Sequence, residues 1–246
     1  MCATLSSMIV NTQDLIDNAI QQWSDQKEAE RDTEHFACSD AGLCYRSRFL
    51  KRLGVPSTRV TPVGALRKMM AGEAAHEKLQ AVLKASGQLE SAEETLSLWP
   101  DVLGHYDAVV REGDERILLE FKTIEKWQMG HIKKDGPKPQ HILQMFTYWF
   151  QLRAQPKETK NLNQATLIYV QREDYQQVQF DYLWDKEIAG KTLAEWLPLF
   201  AYWKNQQLPP CSCGEDFDGN GMKYCRYQAR DGESCCDPEL VRMVRV

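Results

Sequence analysis

The sequence predicts an α/β protein with a mixed central sheet flanked by helices. Apolar patterns of helical and strand type succeed one another along the chain, in the order helices, three strands, helix, two strands, helix. The 246 residues suffice for one large domain, and a hydrophobic content of 43% supplies a core of ordinary size. No internal repeat and no low-complexity segment breaks the pattern.

The elements follow in order. Residues 8–30 read as an amphipathic helix with a charged end. Leu43 to Leu53 reads as a basic helix stopped by Gly54 and Pro56. A third helix runs from Pro62 to Ser86 and stops near Gly87. Strands are expected at 95–99, 104–111 and 116–123. Within them, Tyr106-Asp107-Ala108-Val109-Val110 and Ile117-Leu118-Leu119-Glu120-Phe121-Lys122 flank Glu112-Gly113-Asp114, a tight turn, and form a hairpin. Gln128 to Pro139 carries Gly130, Gly136, Pro137 and Pro139 and reads as a mobile polar loop. Residues 140–154 form a helix rich in aromatics. Ala165 to Gln171 and Gln176 to Trp184 read as strands joined by a turn at Glu173-Asp174. Thr192 to Gln206 reads as a helix with Thr192 as N-cap, and the tail from Leu208 is rich in loops, cysteine and glycine.

A net charge of −5 argues against non-specific coating of nucleic acid but leaves room for a local basic groove. Basic residues cluster at Arg46, Arg48, Lys51 and Arg52, and again at Lys126, Lys133, Lys134 and Lys138. No apolar run has the length of a membrane span. Met1 to Asp14 lacks the basic start and apolar stretch of a signal peptide, so a cytoplasmic location is expected. The eight cysteines are Cys2, Cys38, Cys44, Cys211, Cys213, Cys225, Cys235 and Cys236, with none between Tyr45 and Pro210. In an intracellular chain, such clustering at both ends favours a metal site over disulfides.

The chemistry is concentrated in the hairpin. Side chains alternate along a strand, so Glu120 and Lys122 share one face while Leu119 and Phe121 take the other. Asp107 and Glu120 offer the hard oxygens that Mg²⁺ or Mn²⁺ prefers, and Phe121 can lend its backbone carbonyl. Lys122 can orient or help deprotonate an attacking water and stabilise phosphate charge. Two acids and a lysine on one edge of a small sheet thus suit a metal held against a phosphodiester. His141, Gln144 and Tyr148 fall on one face of the following helix. His76 lies on the helix before the hairpin, where a neutral imidazole can be a further ligand.

Together these residues resemble the RecB-type branch of the PD-(D/E)xK nucleases, whose pattern is His…Gly-x-x-Asp…Glu-x-Lys…Gln-x-x-x-Tyr. The matching stations are His76, Gly104 with Asp107, Glu120 with Lys122, and Gln144 with Tyr148. Pro100-Asp101 spells the "PD" literally, but Asp107 fits the Gly-x-x-Asp form and Asp101 belongs to the bend before the strand. The resemblance implies a restriction-endonuclease-like core and a Mg²⁺- or Mn²⁺-dependent deoxyribonuclease, an exonuclease favouring single-stranded DNA ends. It makes Asp107, Glu120, Lys122, Gln144 and Tyr148 catalytic and His76, Asp107, Glu120 and Phe121 metal-holding. No membrane partner is expected. Protein partners would belong to a recombination, CRISPR-adaptation or phage-replication complex.

One cysteine before this core and three behind it resemble the iron–sulfur subgroup, which includes CRISPR-associated fourth-family exonucleases, the AddB nuclease domain and related phage exonucleases. That resemblance implies a [4Fe–4S] cluster on Cys44, Cys213, Cys225 and Cys235, with Cys211 and Cys236 as alternates. Met222 stands where one family cysteine would fall, and Zn²⁺ on four thiolates is the alternative. The cluster would staple the ends of the fold, closing roughly 170 residues at an unfolded-state entropy of roughly 5 kcal/mol. The chain then divides into a helical part at 1–61, a nuclease core at 62–207 and a cysteine-rich segment at 208–246, all within a single domain spanning 1–246. A non-catalytic DNA-binding or partner-docking module on the same fold is the alternative function. The intact set of Asp107, Glu120 and Lys122 weighs against it.

Overall fold

The computed structural model describes residues 12–96, 101–155, 161–211 and 226–227. Helix α1 (Thr12–Ala29) is followed by the short strand β1 (Phe36–Ala37), a 3-10 turn (Cys38–Asp40), α2 (Tyr45–Arg52) and α3 (Val63–Ala85). Strands β2 (Leu89–Ser91), β3 (Thr95–Leu96), β4 (Val102–His105), β5 (Ala108–Glu112) and β6 (Glu115–Ile124) come next. Helices α4 (Lys126–Asp135) and α5 (Pro139–Ala154) carry the chain across to β7 (Gln164–Gln171), and β8 (Gln177–Leu183) and α6 (Lys186–Lys204) complete it.

The main sheet has the order β2-β5-β6-β7-β8 and is mixed: β6 and β7 run parallel, and the other neighbours are antiparallel. A parallel pair needs a long crossover, and α4 and α5 supply it. A second small sheet has the order β1-β4-β3. Two cores line the main sheet. On one face Val109, Leu118, Leu167 and Tyr169 pack with Met145, Phe146 and Trp149 of α5 and Trp196 and Leu199 of α6. On the other, Ala108, Leu119, Phe121, Ile168 and Val170 meet Leu79 and Leu83 of α3. This is the α/β/α layering that the element order predicts.

Four local expectations change. The run 104–111 is two strands, because β4 pairs with β1 and β3 while β5 pairs with β2 and β6. The chain changes sheets at Tyr106-Asp107, with Tyr106 buried and its hydroxyl bonded to Ser91 Oγ at 2.6 Å and Glu94 Oε2 at 2.9 Å. The segment Gln128 to Pro139 is mostly helix rather than loop. Glu125 and Gln128 cap each other's backbone N–H groups at the start of α4, and Met129 and Ile132 bury one helical face. Gly136, at φ +85°, ends α4, and Pro139 opens α5. Helix α6 begins earlier than expected, with Asp185 Oδ1 accepting from the Ile188 N–H at 2.8 Å. Thr192 is a fully buried interior residue whose hydroxyl bonds the Ile188 carbonyl, not an N-cap.

The fourth change concerns the basic helix α2, which is an internal prop. Arg48 is 2% exposed, bonds Glu195 Oε1 at 2.5 Å and lies 4.0 Å over the Trp196 ring. Arg52 bonds Asp101 Oδ1 at 2.7 Å and lies between the rings of Phe36 and Trp203. Lys51 pairs with Asp40 at 2.6 Å. These cations join α2 to α6 and to the small sheet, so they do not form a solvated basic face.

Candidate active site

Strand β6 runs through the middle of the main sheet, so its residues are central and do not lie on a sheet edge as the sequence suggested. Its alternation sorts the chemistry. Leu119 and Phe121 enter the core beneath α3, and Glu120 and Lys122 point together to the other side. Lys122 Nζ donates to Glu120 Oε1 at 2.7 Å, although Glu120 is only 1% exposed. The β5–β6 register pairs Ala108 with Leu119, which sets Asp107 opposite Glu120. Lying just outside β5, Asp107 turns its Oδ2 to accept the Phe121 N–H at 2.6 Å.

Helix α3 lies along this hairpin. Gly72 approaches Thr123 so closely that a Cβ there would meet Thr123 Oγ1 at 2.9 Å. One turn further, His76 Nδ1 is 3.2 Å from Asp107 Oδ1. One more turn brings Gln80, whose Nε2 donates to the Asp107 carbonyl at 2.8 Å. The His76 ring also stands edge-on to Phe121, with centroids 5.9 Å apart.

Helix α5 supplies the opposite wall. Lys122 Nζ donates to Gln144 Oε1 at 2.8 Å, and Gln144 Nε2 donates to the Tyr148 hydroxyl at 3.2 Å. Tyr148 is buried against Gly104, where a Cβ would lie 2.9 Å from its Cε1 and 2.6 Å from Cys38 Cβ. The glycine of Gly-x-x-Asp is therefore needed for the close passage of β4 past Cys38 and Tyr148. Cys38 accepts from Gln151 Nε2 at 3.1 Å, and burial pushes its thiol up to about 12, so it stays protonated at neutral pH. His141 bonds the Tyr169 hydroxyl at 2.8 Å, and burial together with the charges of Lys122 and Lys138 lowers it to about 3, so its imidazole is neutral.

Burial raises Glu120 to about 7, the charge of Asp107 adds to this, and Lys122 opposes it. Burial pulls His76 down, but its hydrogen bond to Asp107 and the charges of Asp107 and Glu120 outweigh that and raise it. Glu120 Oε2 is buried without a hydrogen-bond partner among the described residues. An ionised carboxylate oxygen left so is costly, and a cation removes the cost. No three His, Cys, Asp or Glu side chains converge as a ready-made cage among the described residues. The donor set fits Mg²⁺, which commonly uses one or two carboxylates, retained waters and a substrate phosphate. Asp107, Glu120 and the Phe121 backbone are the groups that would hold it, with His76 beside them.

The structure thus brings His76, Asp107, Glu120, Lys122, Gln144 and Tyr148 together. Phe121 joins them through its N–H to Asp107. Asp101 lies in the turn before β4, as expected, and pairs with Arg52. Gly72, Gln80 and Cys38 were missed. Gly72 and Gln80 bracket His76 at i−4 and i+4, and that helical spacing was the available signal; nothing in the sequence points to Cys38. Cys44 is buried at the start of α2, whereas Cys211 is half-buried and disulfide-bonded, which departs from the expected metal site in place of disulfides and removes Cys211 as an alternate ligand. Cys213, Cys225, Cys235 and Cys236 lie outside the described residues. No helix among the described residues is long and apolar enough to cross a membrane.

No protein-family model and no curated protein matches this chain. Among solved structures it is similar to SSO0001, with a TM-score of 0.54 and 16% identity, over 91% of this chain and 100% of that one. It is also similar to an alkaline exonuclease, LHK-Exo from Laribacter hongkongensis, with a TM-score of 0.51 and 15% identity, over 74% of this chain and 93% of that one. The shared feature is the fold, a restriction-endonuclease-like α/β core.

Glu120 makes a testable contribution to stability. With its pKa raised from 4.5 to about 7 in the folded chain, the native state keeps a proton that the unfolded state releases. Stability from this group is fully present below about pH 4.5 and is lost as pH rises to about 7; raised His76 adds a loss of the same sign at higher pH. Without added divalent ions, the melting temperature should fall between pH 5 and pH 8, and Glu120→Gln should flatten that fall. The same slope in the variant and the parent would refute the assignment.

Proposed function

We propose that this chain is a metal-dependent DNA nuclease that hydrolyses phosphodiester bonds at DNA ends, with single strands favoured. The observation that carries the proposal is the unpartnered buried Oε2 of Glu120, set opposite Asp107 and beside the Lys122 amine. The fold it shares with an alkaline exonuclease supports the same conclusion.

When bound, a Mg²⁺ or Mn²⁺ ion polarises the phosphoryl oxygen and acidifies a water. The protein does the rest. Asp107 and Glu120 hold negative charge at a fixed spacing across two paired strands. Lys122, gripped by Glu120 and Gln144, places a positive amine to orient the attacking water and stabilise charge on the phosphate. Tyr148 fixes the Gln144 amide, and His76 and the Phe121 N–H fix Asp107. A non-catalytic module would have no use for this completed set.

The proposal includes a cluster, [4Fe–4S] or Zn²⁺, on Cys44, Cys213, Cys225 and Cys235. Support comes from the neighbours of these residues. Arg46, two residues from Cys44, donates from Nε to the Pro209 carbonyl at 2.7 Å, two residues before Cys211. Arg226, next to Cys225, accepts the Thr58 N–H at 3.1 Å, and the Tyr227 hydroxyl bonds the Val55 carbonyl at 3.1 Å. Arg226 also pairs with Glu28. Pro209, Arg226 and Tyr227, close in sequence to Cys211 and Cys225, are thus bonded to α2 and to the segment that follows it.

Two experiments test these assignments. End-labelled single- and double-stranded DNA should be digested with Mg²⁺ or Mn²⁺, and Glu120→Ala or Lys122→Ala should slow digestion about 10³-fold, equivalent to about 4 kcal/mol of barrier. Undiminished cutting by both variants would contradict the assignment. Anaerobically purified protein should absorb near 400 nm if iron–sulfur is bound and be colourless with stoichiometric zinc if zinc is. Protein holding neither metal would refute the cluster.

A further inference from the structure

Trp127 stands in the first turn of α4 with 65% of its surface exposed. The other described tryptophans, Trp23, Trp149, Trp184, Trp196 and Trp203, are buried or half-buried. The indole is nonetheless held in place. Its Nε1–H donates to Glu125 Oε2 at 2.5 Å, and Glu125 caps α4 and pairs with Lys68 at 2.6 Å and Arg172 at 3.9 Å. His131, one turn on, stands edge-on to the indole with centroids 6.0 Å apart. Lys134 continues this exposed row at i+7, and Lys126 and Lys133 lie on the row beside it. Of the nearby acids, Glu125 is paired with Lys68 and Arg172, and Asp135 lies at the far end of the helix, 3.8 Å from His131. What remains on this face is an oriented aromatic ring among lysines.

The face adjoins the candidate active site. From Lys122, β6 continues into Glu125, a span of about 10 Å at strand rise. Helix α3 follows the same line, with Lys68 at Glu125, Gly72 at Thr123 and His76 at Asp107.

We propose that Trp127 is a stacking platform for an unpaired nucleobase of the DNA strand whose phosphate lies at Glu120 and Lys122, while the lysines of α4 follow the strand's backbone. The proposal rests on the nuclease reading and deepens it by naming the substrate as a strand with open base faces. In a duplex the base faces are covered by their neighbours, so the platform discriminates against paired DNA. Every base has a π-face, so the contact is independent of sequence. It also gives the single-strand preference a source in this chain's own residues.

The test is equilibrium binding without added divalent ions, read by fluorescence anisotropy. The probes are a labelled single strand and an abasic strand of equal length and charge. Trp127→Ala should weaken binding of the normal strand about tenfold, within the range that stacking of one base supplies. It should leave the abasic strand within about twofold of the parent, and Trp127→Phe should recover most of the loss. An unchanged affinity of Trp127→Ala for the normal strand, or an equal loss on both strands, overturns the platform. If the parent binds and cuts DNA while Trp127→Ala behaves like it, only the platform fails. If the parent neither binds nor cuts DNA, the nuclease reading falls with it.

Discussion

Two carboxylates face each other across neighbouring strands, and an oxygen of the more deeply buried one has no hydrogen-bond partner among the described residues. Glu120 is 1% exposed, yet its only hydrogen-bond partner among the described residues is Lys122, on Oε1. Interiors tolerate such an arrangement only when charge is neutralised, by a proton or by a cation. Burial, with the charge of Asp107 added, favours the proton and raises Glu120 to about 7. A divalent cation would be the alternative, and it would leave both acids ionised at neutral pH. The surrounding structure serves to hold this unfavourable juxtaposition in place.

Three elements share that task. The β5–β6 register sets the spacing, and the switch of sheets at Tyr106-Asp107 frees the Asp107 side chain to turn toward the Phe121 N–H. Helix α3 closes from one side, its approach permitted by Gly72 and its register fixed by His76 and Gln80 on successive turns. Helix α5 closes from the other through Gln144 and Tyr148, backed by Gly104 and Cys38. Arg48 and Arg52 stand behind this arrangement, joining α2 to α6 and the small sheet with buried ion pairs and ring contacts.

Much of this was legible in the chain. The Glu-x-Lys alternation shows which side chains share a face, because strand periodicity is fixed by covalent geometry. Gln144 and Tyr148 follow from helical spacing. The centrality of β6 was not legible, since local patterns do not reveal which strand pairs with which. Helix α4 was hidden because Gly130, Gly136 and Pro139 weigh as breakers, whereas the Glu125–Gln128 capping box and two buried apolar residues outweigh one interior glycine. The role of α2 was not legible for a related reason: its basic cluster suggests a local groove until Trp196, Trp203 and Glu195 arrive from distant sequence. Cys38 could not be read at all, because its importance comes only from its contact with Gly104 and Tyr148.

The central claim is that Asp107 and Glu120 grip one cation together, and calorimetric titration of Mn²⁺ into the protein tests it most directly. The parent should show a saturable site, weakened at least tenfold by Asp107→Asn and by Glu120→Gln, with both variants still folded. Indistinguishable Mn²⁺ binding by all three proteins would contradict the account.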